Sequence, residues 1–174
     1  MKATGIVRRV DDLGRVVIPK ELRRTLRIRE GDPLEIFTSS EGITFRKYSA
    51  LEGNMALAEA CIKAAFNAFQ LSIIVCDQDH VLEAGRGYRG LVGAPISAEL
   101  EELIRAGKEY ARAEKGDPVL PVRKQGTNPI RLMVPIRNGE ESCGAVFLLA
   151  SDEDLPEESI NCVRMAATML SDFN

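Results

Sequence analysis

Basic side chains are concentrated at the amino-terminal end of the chain, where they could bind a polyanion. Residues 1–29 contain nine lysines and arginines and three acids, a net charge of +6, although the whole 174-residue chain carries −3. A compact basic surface on an otherwise anionic protein is the electrostatic pattern expected of a DNA-contacting module. The basic residues are Lys2, Arg8, Arg9, Arg15, Lys20, Arg23, Arg24, Arg27 and Arg29.

A glycine-rich segment near the middle of the chain is the second place where residue types suggest ligand chemistry. Gly85-Arg86-Gly87-Tyr88-Arg89-Gly90 follows a predicted strand and has the G-x-G-x-x-G spacing of dinucleotide-binding loops. That function needs a helix beginning at the last glycine within a βαβ unit, but a further glycine and a proline intervene. We therefore expect a mobile loop at the mouth of a sensor pocket. There Arg86, Tyr88 and Arg89 face either an anionic ligand or water.

The cysteines and the single histidine predict neither a metal site nor a catalytic centre. The cysteines form no C-x-x-C pair, and His80 lies in an acidic turn without the residue pattern of a catalytic triad. Every cysteine lies within an apolar pattern, so we expect buried, reduced thiols and no cofactor. These residues are Cys61, Cys76, Cys143 and Cys162.

The first 50 residues are expected to form a small β-rich unit that two chains share. Strands are predicted at Thr4–Val10 and Arg15–Ile18, around a turn that ends at Gly14. Pro19 suits the first position of a helix over Lys20–Leu26. A second hairpin pairs residues 34–38 with residues 43–48. About 50 residues without disulfides rarely bury enough apolar surface to fold alone, so we predict an obligate dimer whose interleaved hairpins form one barrel.

Residues 51–174 are expected to form an α+β domain with an antiparallel sheet and helices on one side of it. The first and last helices carry more apolar surface than one contact can cover, which predicts that they also join a second copy and build a tetramer. The predicted elements are a helix at Met55–Gln70, strands at Ser72–Cys76 and Val81–Ala84, a helix starting near Ser97, strands at Val119–Val122, Ile130–Ile136 and Cys143–Ala150, and a helix at about Pro156–Phe173.

Apolar runs in this sequence are short. The longest, such as Cys143–Ala150, falls far below the roughly 20 residues that a membrane-spanning helix needs. The amino terminus has arginines where a signal peptide would have its apolar region. We therefore expect a cytoplasmic protein with no membrane partner.

The run GIVRRVDDLGRVVIPKELRRTLRI, residues 5–28, resembles the DNA-binding domain of the AbrB transition-state regulators. The resemblance covers the first 48 residues and implies a swapped-hairpin dimer that binds double-stranded DNA. In that family, arginines near the end of the first strand and on the short helix contact DNA. Carried over to this sequence, the contacting residues are Arg8, Arg15, Arg23 and Arg24.

The second half resembles a GAF domain in its order of elements, although it lacks the Asn-Lys-x-Phe-Asp-Glu run of cyclic-nucleotide GAF domains. An AbrB-type head on such a body is similar to regulators of late forespore transcription in endospore-forming bacteria. The resemblance implies a sequence-specific regulator of sporulation genes, as activator or repressor, with a sensor domain for an unknown small molecule.

Two other functions compete with this interpretation. Some GAF folds reduce methionine sulfoxide with pocket cysteines, and this chemistry needs an exposed thiol of low pKa beside a resolving thiol. An antitoxin of the same swapped-hairpin fold fits poorly, since such proteins carry a disordered toxin-wrapping tail in place of a folded domain.

Overall fold

The computed structural model describes residues 4–112, 117–123, 127–151 and 154–171. The chain divides into two compact units, Met1–Tyr48 and Ser49–Asn174. Among the described residues, no helix is both long enough and apolar enough to cross a membrane.

The first unit contains one short helix and one hairpin. Helix α1 spans Lys20–Thr25, and strands β1 (Leu34–Ser39) and β2 (Gly42–Lys47) pair antiparallel across a two-residue turn. The register aligns Leu34 with Lys47 and Ile36 with Phe45, so Leu34, Ile36, Ile43 and Phe45 share one face. The predicted second hairpin is thus present.

Residues 4–18 differ from the prediction of two strands. The described segment contains only a turn at residues 11–15, where the backbone N–H of Asp11 donates to the carbonyl of Arg15 (3.0 Å). A β-strand exists only where its N–H and C=O groups meet a neighbouring strand. Among its described residues the single chain supplies no such neighbour, so the alternating sequence pattern of residues 4–18 does not form a β-ladder.

The second unit is built on a five-stranded antiparallel sheet of order β4-β3-β7-β6-β5. Short 3-10 turns lie at Glu52–Asn54 and Arg89–Leu91. The elements are α2 (Met55–Phe69), β3 (Ile74–Asp77), β4 (Val81–Ala84), α3 (Ala98–Ala106), β5 (Tyr110–Ala111), β6 (Ile130–Asn138), β7 (Glu141–Leu149) and α4 (Glu157–Met169).

Helices cover both faces of this sheet, so the prediction of helices on one side is wrong. One core joins α2 and α4 to the face that carries Val75 and Val146. The other core joins α3 to the face that carries Ile74 and Phe147. Residues 74–76 of β3 and 143–149 of β7 form continuous apolar runs, which is the composition of strands buried on both faces.

Local signals predicted most boundaries of the second unit. Ser97 caps α3 as expected, because its Oγ accepts from the backbone N–H of Leu100 at 3.0 Å. The predicted strand Val119–Val122 is wrong: Val122 makes only an isolated bridge to Ile96. The fifth strand is instead the two-residue β5, which pairs with the edge of β6.

Candidate nucleic-acid interface

The turn at residues 11–15 is organised by the side chain of Asp11. Its Oδ1 accepts from the backbone N–H groups of Leu13 (3.1 Å) and Arg15 (2.7 Å). Gly14 adopts φ +77°, a conformation that costs glycine little, and its N–H donates to the carbonyl of Asp11 at 3.0 Å. An aspartate that bonds its own backbone two residues on is a turn-forming device. Hydrogen bonds among residues 11–15 themselves therefore stabilise the turn.

Arg15 is held in place by the same carboxylate. Its Nε donates to Oδ2 of Asp11 at 2.8 Å, and its side chain is 70 % exposed. The pKa of Asp11 is lowered, first by the backbone N–H of Arg15 and next by its guanidinium. Within the described residues no hydrogen bond engages the two terminal nitrogens of Arg15. Arg15 thus presents an oriented, solvent-facing fork to an anion.

The short helix α1 carries two more of the predicted contact residues. Pro19 stands one position before the helix, not at its first residue, and its carbonyl accepts from the N–H of Arg23 at 3.0 Å. The helix ends at Thr25. Two residues later Arg27 adopts φ +53°, and the N–H of Ile28 donates to the carbonyl of Arg23 (2.8 Å). Arg24 is exposed and Arg23 is half-buried.

Arg8 lies in the extended segment before the turn. It is exposed, and Nη1 donates to the carbonyl of Val7 at 3.3 Å. No described carboxylate pairs with Arg8, Arg23 or Arg24. The four predicted DNA-contacting arginines therefore lie in one unit. Among the described residues, the only ion pair that any of them makes is the one between Arg15 and Asp11.

Sequence reasoning missed two features of this unit. The sequence predicts a turn before Arg15 but not that Asp11 positions this arginine. The spacing of four residues between the two opposite charges is the sequence signal for that contact. On the hairpin, the guanidinium of Arg46 lies 5.1 Å from the ring centroid of Phe37, a cation–π contact on the face opposite the apolar one.

The first unit exposes most of its apolar side chains. Among residues 4–48, Pro19 is the only buried residue. Soluble proteins rarely expose a large contiguous apolar surface unless another molecule covers it. The exposed apolar residues of this unit are Ile6, Val7, Val10, Leu13, Val16, Val17, Leu26, Ile36, Phe37, Ile43, Phe45 and Tyr48.

In the second unit, the glycine-rich loop borders a groove of about 980 Å³ beside α2. Arg86 and Arg89 line this groove, and the guanidinium of Arg86 lies 4.6 Å from the ring centroid of Phe66 on α2. Tyr88 lies between them but packs against the sheet core instead. The loop continues into the 3-10 turn at Arg89–Leu91 and does not open an α-helix, so it lacks the geometry of a dinucleotide site.

The thiols lie in surroundings that suppress their reactivity. Cys61, Cys76 and Cys162 are buried, and Cys143 is half-buried with its Sγ donating to the carbonyl of Ile136 at 3.6 Å. Burial raises the pKa of all four thiols. In the parts of the chain that the structure describes, no group of His, Cys, Asp or Glu side chains could hold a metal ion.

Comparison with known proteins places the chain in a family. Residues 55–172 match the model described as stage V sporulation protein T C-terminal, transcription factor. Stage V sporulation protein T of Bacillus subtilis (strain 168) is 36 % identical, over 98 % of this chain and 97 % of that protein. The chain belongs to the stage V sporulation protein T family. The resemblance to sporulation regulators is confirmed.

The amino-terminal unit has its own relatives. Residues 7–51 match the model described as antidote-toxin recognition MazE, bacterial antitoxin. The transition state regulatory protein AbrB of Bacillus subtilis (strain 168) is 67 % identical over 48 residues, which is 28 % of this chain and 50 % of AbrB. The solution structure of the AbrB N-terminal DNA recognition domain has the same identity, covers 28 % of this chain and 91 % of that domain, and has a TM-score of 0.24. The AbrB resemblance of the first 48 residues is therefore confirmed at the level of sequence.

Proposed function

We propose that this protein is a sequence-specific DNA-binding transcription regulator of sporulation genes, acting in the cytoplasm on double-stranded DNA. The DNA-binding domain is residues 1–50, and its contact residues are Arg8, Arg15, Arg23 and Arg24. The observation that carries the proposal is Arg15, which is held by Asp11 at Nε and whose terminal nitrogens make no hydrogen bond among the described residues. The 67 % identity to AbrB, whose N-terminal domain is a DNA recognition domain, supports it.

Arginine suits this task for a geometric reason. Its planar guanidinium can clamp a phosphate or bind the O6 and N7 atoms of guanine with two parallel hydrogen bonds. An arginine already held at Nε loses less conformational freedom when it binds, so the Asp11–Arg15 contact favours selective recognition over loose charge attraction.

The proposed DNA-binding species is a dimer. The unpaired segment 4–18 and the exposed apolar residues of the first unit are what a shared swapped-hairpin barrel would cover. Interleaving two chains would give those strands their ladder partners and bury those side chains. It would also double the number of contact arginines on one surface.

Residues 51–174 are proposed to form a GAF-like regulatory domain that also joins two dimers into a tetramer. Its helices α2 and α4 expose Phe69, Met165 and Met169, at 45 %, 53 % and 46 %. Linking two DNA-binding heads in one particle raises the effective concentration of the second head and so the avidity. We expect the double variant Met165→Asp, Met169→Asp to form dimers by light scattering. A wild-type protein that is already only dimeric would contradict the tetramer.

The main test is DNA binding by the full-length protein. Duplexes enriched from a random library would be used to compare wild type with the double variant Arg23→Ala, Arg24→Ala. We expect affinity to fall by about two orders of magnitude or more, because each good contact contributes about 1–3 kcal/mol. Arg105→Ala, on α3 of the other unit, is the matched control and should bind as wild type. Unchanged affinity of the double variant at moderate salt would refute the assigned contacts.

The competing functions have less support. A thiol-based reductase needs an accessible thiol of low pKa, whereas burial raises the pKa of all four cysteines. An antitoxin would use the chain after the hairpin as a toxin-wrapping tail, but here that region is a folded sheet with two cores.

A further inference from the structure

The groove beside α2, here called the glycine-loop groove, has the dimensions of a ligand site. Its volume of about 980 Å³ lies at the upper end of the range of small-molecule pockets. One wall is a face of α2 that includes Ile62, Lys63 and Phe66, and the other is the loop after β4 that includes Arg86 and Arg89. Both walls belong to the same unit, so the groove does not depend on the DNA-binding unit for its shape.

The charges of the groove favour an anion. Lys63 is neutralised by Glu59, whose Oε2 lies 3.1 Å from Nζ. Glu83 also lines the groove, with Oε1 accepting from the backbone N–H of Ala84 at 3.0 Å. Arg86 and Arg89 have no carboxylate partner among the described residues. Three cations against two anions leave a positive surplus, and both unpaired cations are arginines.

Arg86 is already oriented for binding. The ring of Phe66 covers one face of its guanidinium at 4.6 Å, which leaves the N–H edge as the part that can bind. That edge matches a carboxylate or phosphate with two parallel hydrogen bonds. Around it, Gly85, Gly87 and Gly90 line the groove without side chains, so a ligand can approach the backbone closely.

Part of the groove lining is apolar. Ile62 and Ala84 are buried, Phe66 is half-buried and Val92 is 43 % exposed. A bare inorganic anion would leave this surface in water, whereas an aromatic or aliphatic body would cover it and gain the hydrophobic free energy of that area.

We propose that the glycine-loop groove binds a small organic anion, in which a carboxylate or phosphate is attached to an apolar body. The anion pairs with Arg86 and Arg89, and the body lies over Phe66 and Val92. This inference rests on the proposed regulatory role of the second unit and identifies the chemical class of its signal. The proposal does not require the bound anion to contact DNA.

The test is a titration of the full-length protein with phenyl phosphate, followed by the amide signals of Gly85, Gly87 and Gly90 in a ¹H–¹⁵N TROSY spectrum. Two matched probes separate the parts of the ligand: inorganic phosphate has the anion alone and benzyl alcohol has the ring alone. We expect a saturable shift with phenyl phosphate and affinities at least about tenfold weaker for each half-probe, because charge-assisted bonds and buried area both contribute.

The variant Arg86→Gln, Arg89→Gln should weaken phenyl phosphate by about tenfold or more, since both guanidiniums are lost. Arg105→Gln, outside the groove, should not change the affinity for phenyl phosphate.

Equal affinity for inorganic phosphate, no saturable shift at the three glycines, or an unaltered titration in the double variant would each overturn the proposal. These glycines line the groove in the second unit, whereas Arg8, Arg15, Arg23 and Arg24 belong to the first, so the amide signals report on the groove itself. Duplex affinity measured without probe should equal wild type in the double variant, so failure here is distinguishable from failure of the proposed DNA binding.

Discussion

Asp11 holds Arg15 at two points: Oδ1 accepts from its backbone N–H at 2.7 Å and Oδ2 accepts from its Nε at 2.8 Å. A single carboxylate thus closes the turn and orients the guanidinium beyond it. The neighbouring acid Asp12 makes no described contact of this kind. The two aspartates carry the same charge, but only Asp11 contacts Arg15. Comparing variants of the two residues therefore measures the effect of that contact on DNA binding.

The variant Asp11→Ala should lower duplex affinity by about three- to tenfold relative to Asp12→Ala, because Arg15 loses the hydrogen bond that orients its guanidinium and the turn loses its two bonds to Oδ1. Both variants remove one negative charge near the DNA, which by itself would strengthen binding. Fluorescence anisotropy at fixed salt gives the ratio. If the two variants bind equally tightly, Asp11 has no role in positioning Arg15.

The salt dependence of binding reports how many phosphates are neutralised. If the eight predicted arginines of a dimer each neutralise one, the slope of log K against log salt is roughly −7. Removing four of them by Arg23→Ala, Arg24→Ala should bring the slope to about −4. Anisotropy titrations at several salt concentrations measure both slopes. Parallel lines for the two proteins would show that the helix arginines do not contact phosphates.

Gly144 is required by packing. A Cβ at this position would overlap the carbonyl oxygen of Cys76 and lie 2.6 Å from Cδ1 of Leu51, a buried residue that precedes α2. Gly144→Ala should therefore destabilise the second unit by about 1–3 kcal/mol. Gly53→Ala is the matched control, since a Cβ there meets nothing within 4 Å. Urea unfolding measures the midpoint of each variant. Equal midpoints for Gly144→Ala and Gly53→Ala would contradict the packing constraint at Gly144.

The ion pair between Glu109 and Arg164 should make stability depend on pH. Nε and Nη2 of Arg164 donate to the two carboxylate oxygens at 2.9 and 2.8 Å, and these bonds lower the pKa of Glu109. A carboxyl whose pKa is lower in the folded state stabilises the fold above its unfolded pKa, and this contribution is lost as the pH falls through its folded pKa.

Glu109→Gln should accordingly lower the thermal midpoint at neutral pH and approach wild type as the pH falls below the ordinary glutamate value of 4.5. Glu102→Gln, an exposed acid on α3 without a described partner, should differ little from wild type at any pH. A Glu109→Gln deficit that persists unchanged in acid would mean that the charge pair does not cause it.

The four thiols should react slowly in the native protein. Burial raises the pKa of each, so little thiolate is present at neutral pH. Titration with Ellman's reagent should detect them fully only after unfolding, with the half-buried Cys143 reacting first among them. A thiol that reacts at once in the folded protein would revive the reductase hypothesis.

Local sequence rules predicted elements whose causes are local. The strand Val81–Ala84, the cap at Ser97 and the start of α2 at Met55 depend on composition and on hydrogen bonds within a few residues. The arginines of α1 could likewise be placed on a helix from their spacing alone. These features form because of interactions between residues that are close in the sequence.

Elements whose partners are distant were predicted less well. The sequence predicts that Tyr88 faces a ligand or water together with Arg86 and Arg89. In the structure the side chain of Tyr88 packs against the core of the sheet instead. Val119–Val122 has strand composition, yet β6 is paired at that edge with the two-residue β5 instead.

By itself, the sequence determined that the chain has a basic amino-terminal segment with helix and hairpin signals and an α+β second half, because charge and periodicity are properties of neighbouring residues. Tertiary structure alone decided that helices cover both sheet faces, that Asp11 orients Arg15, and that Arg86 stacks on Phe66 across a groove. Those relationships join atoms whose distance depends on how the backbone turns and how the sheet is paired, and residue types do not encode that distance.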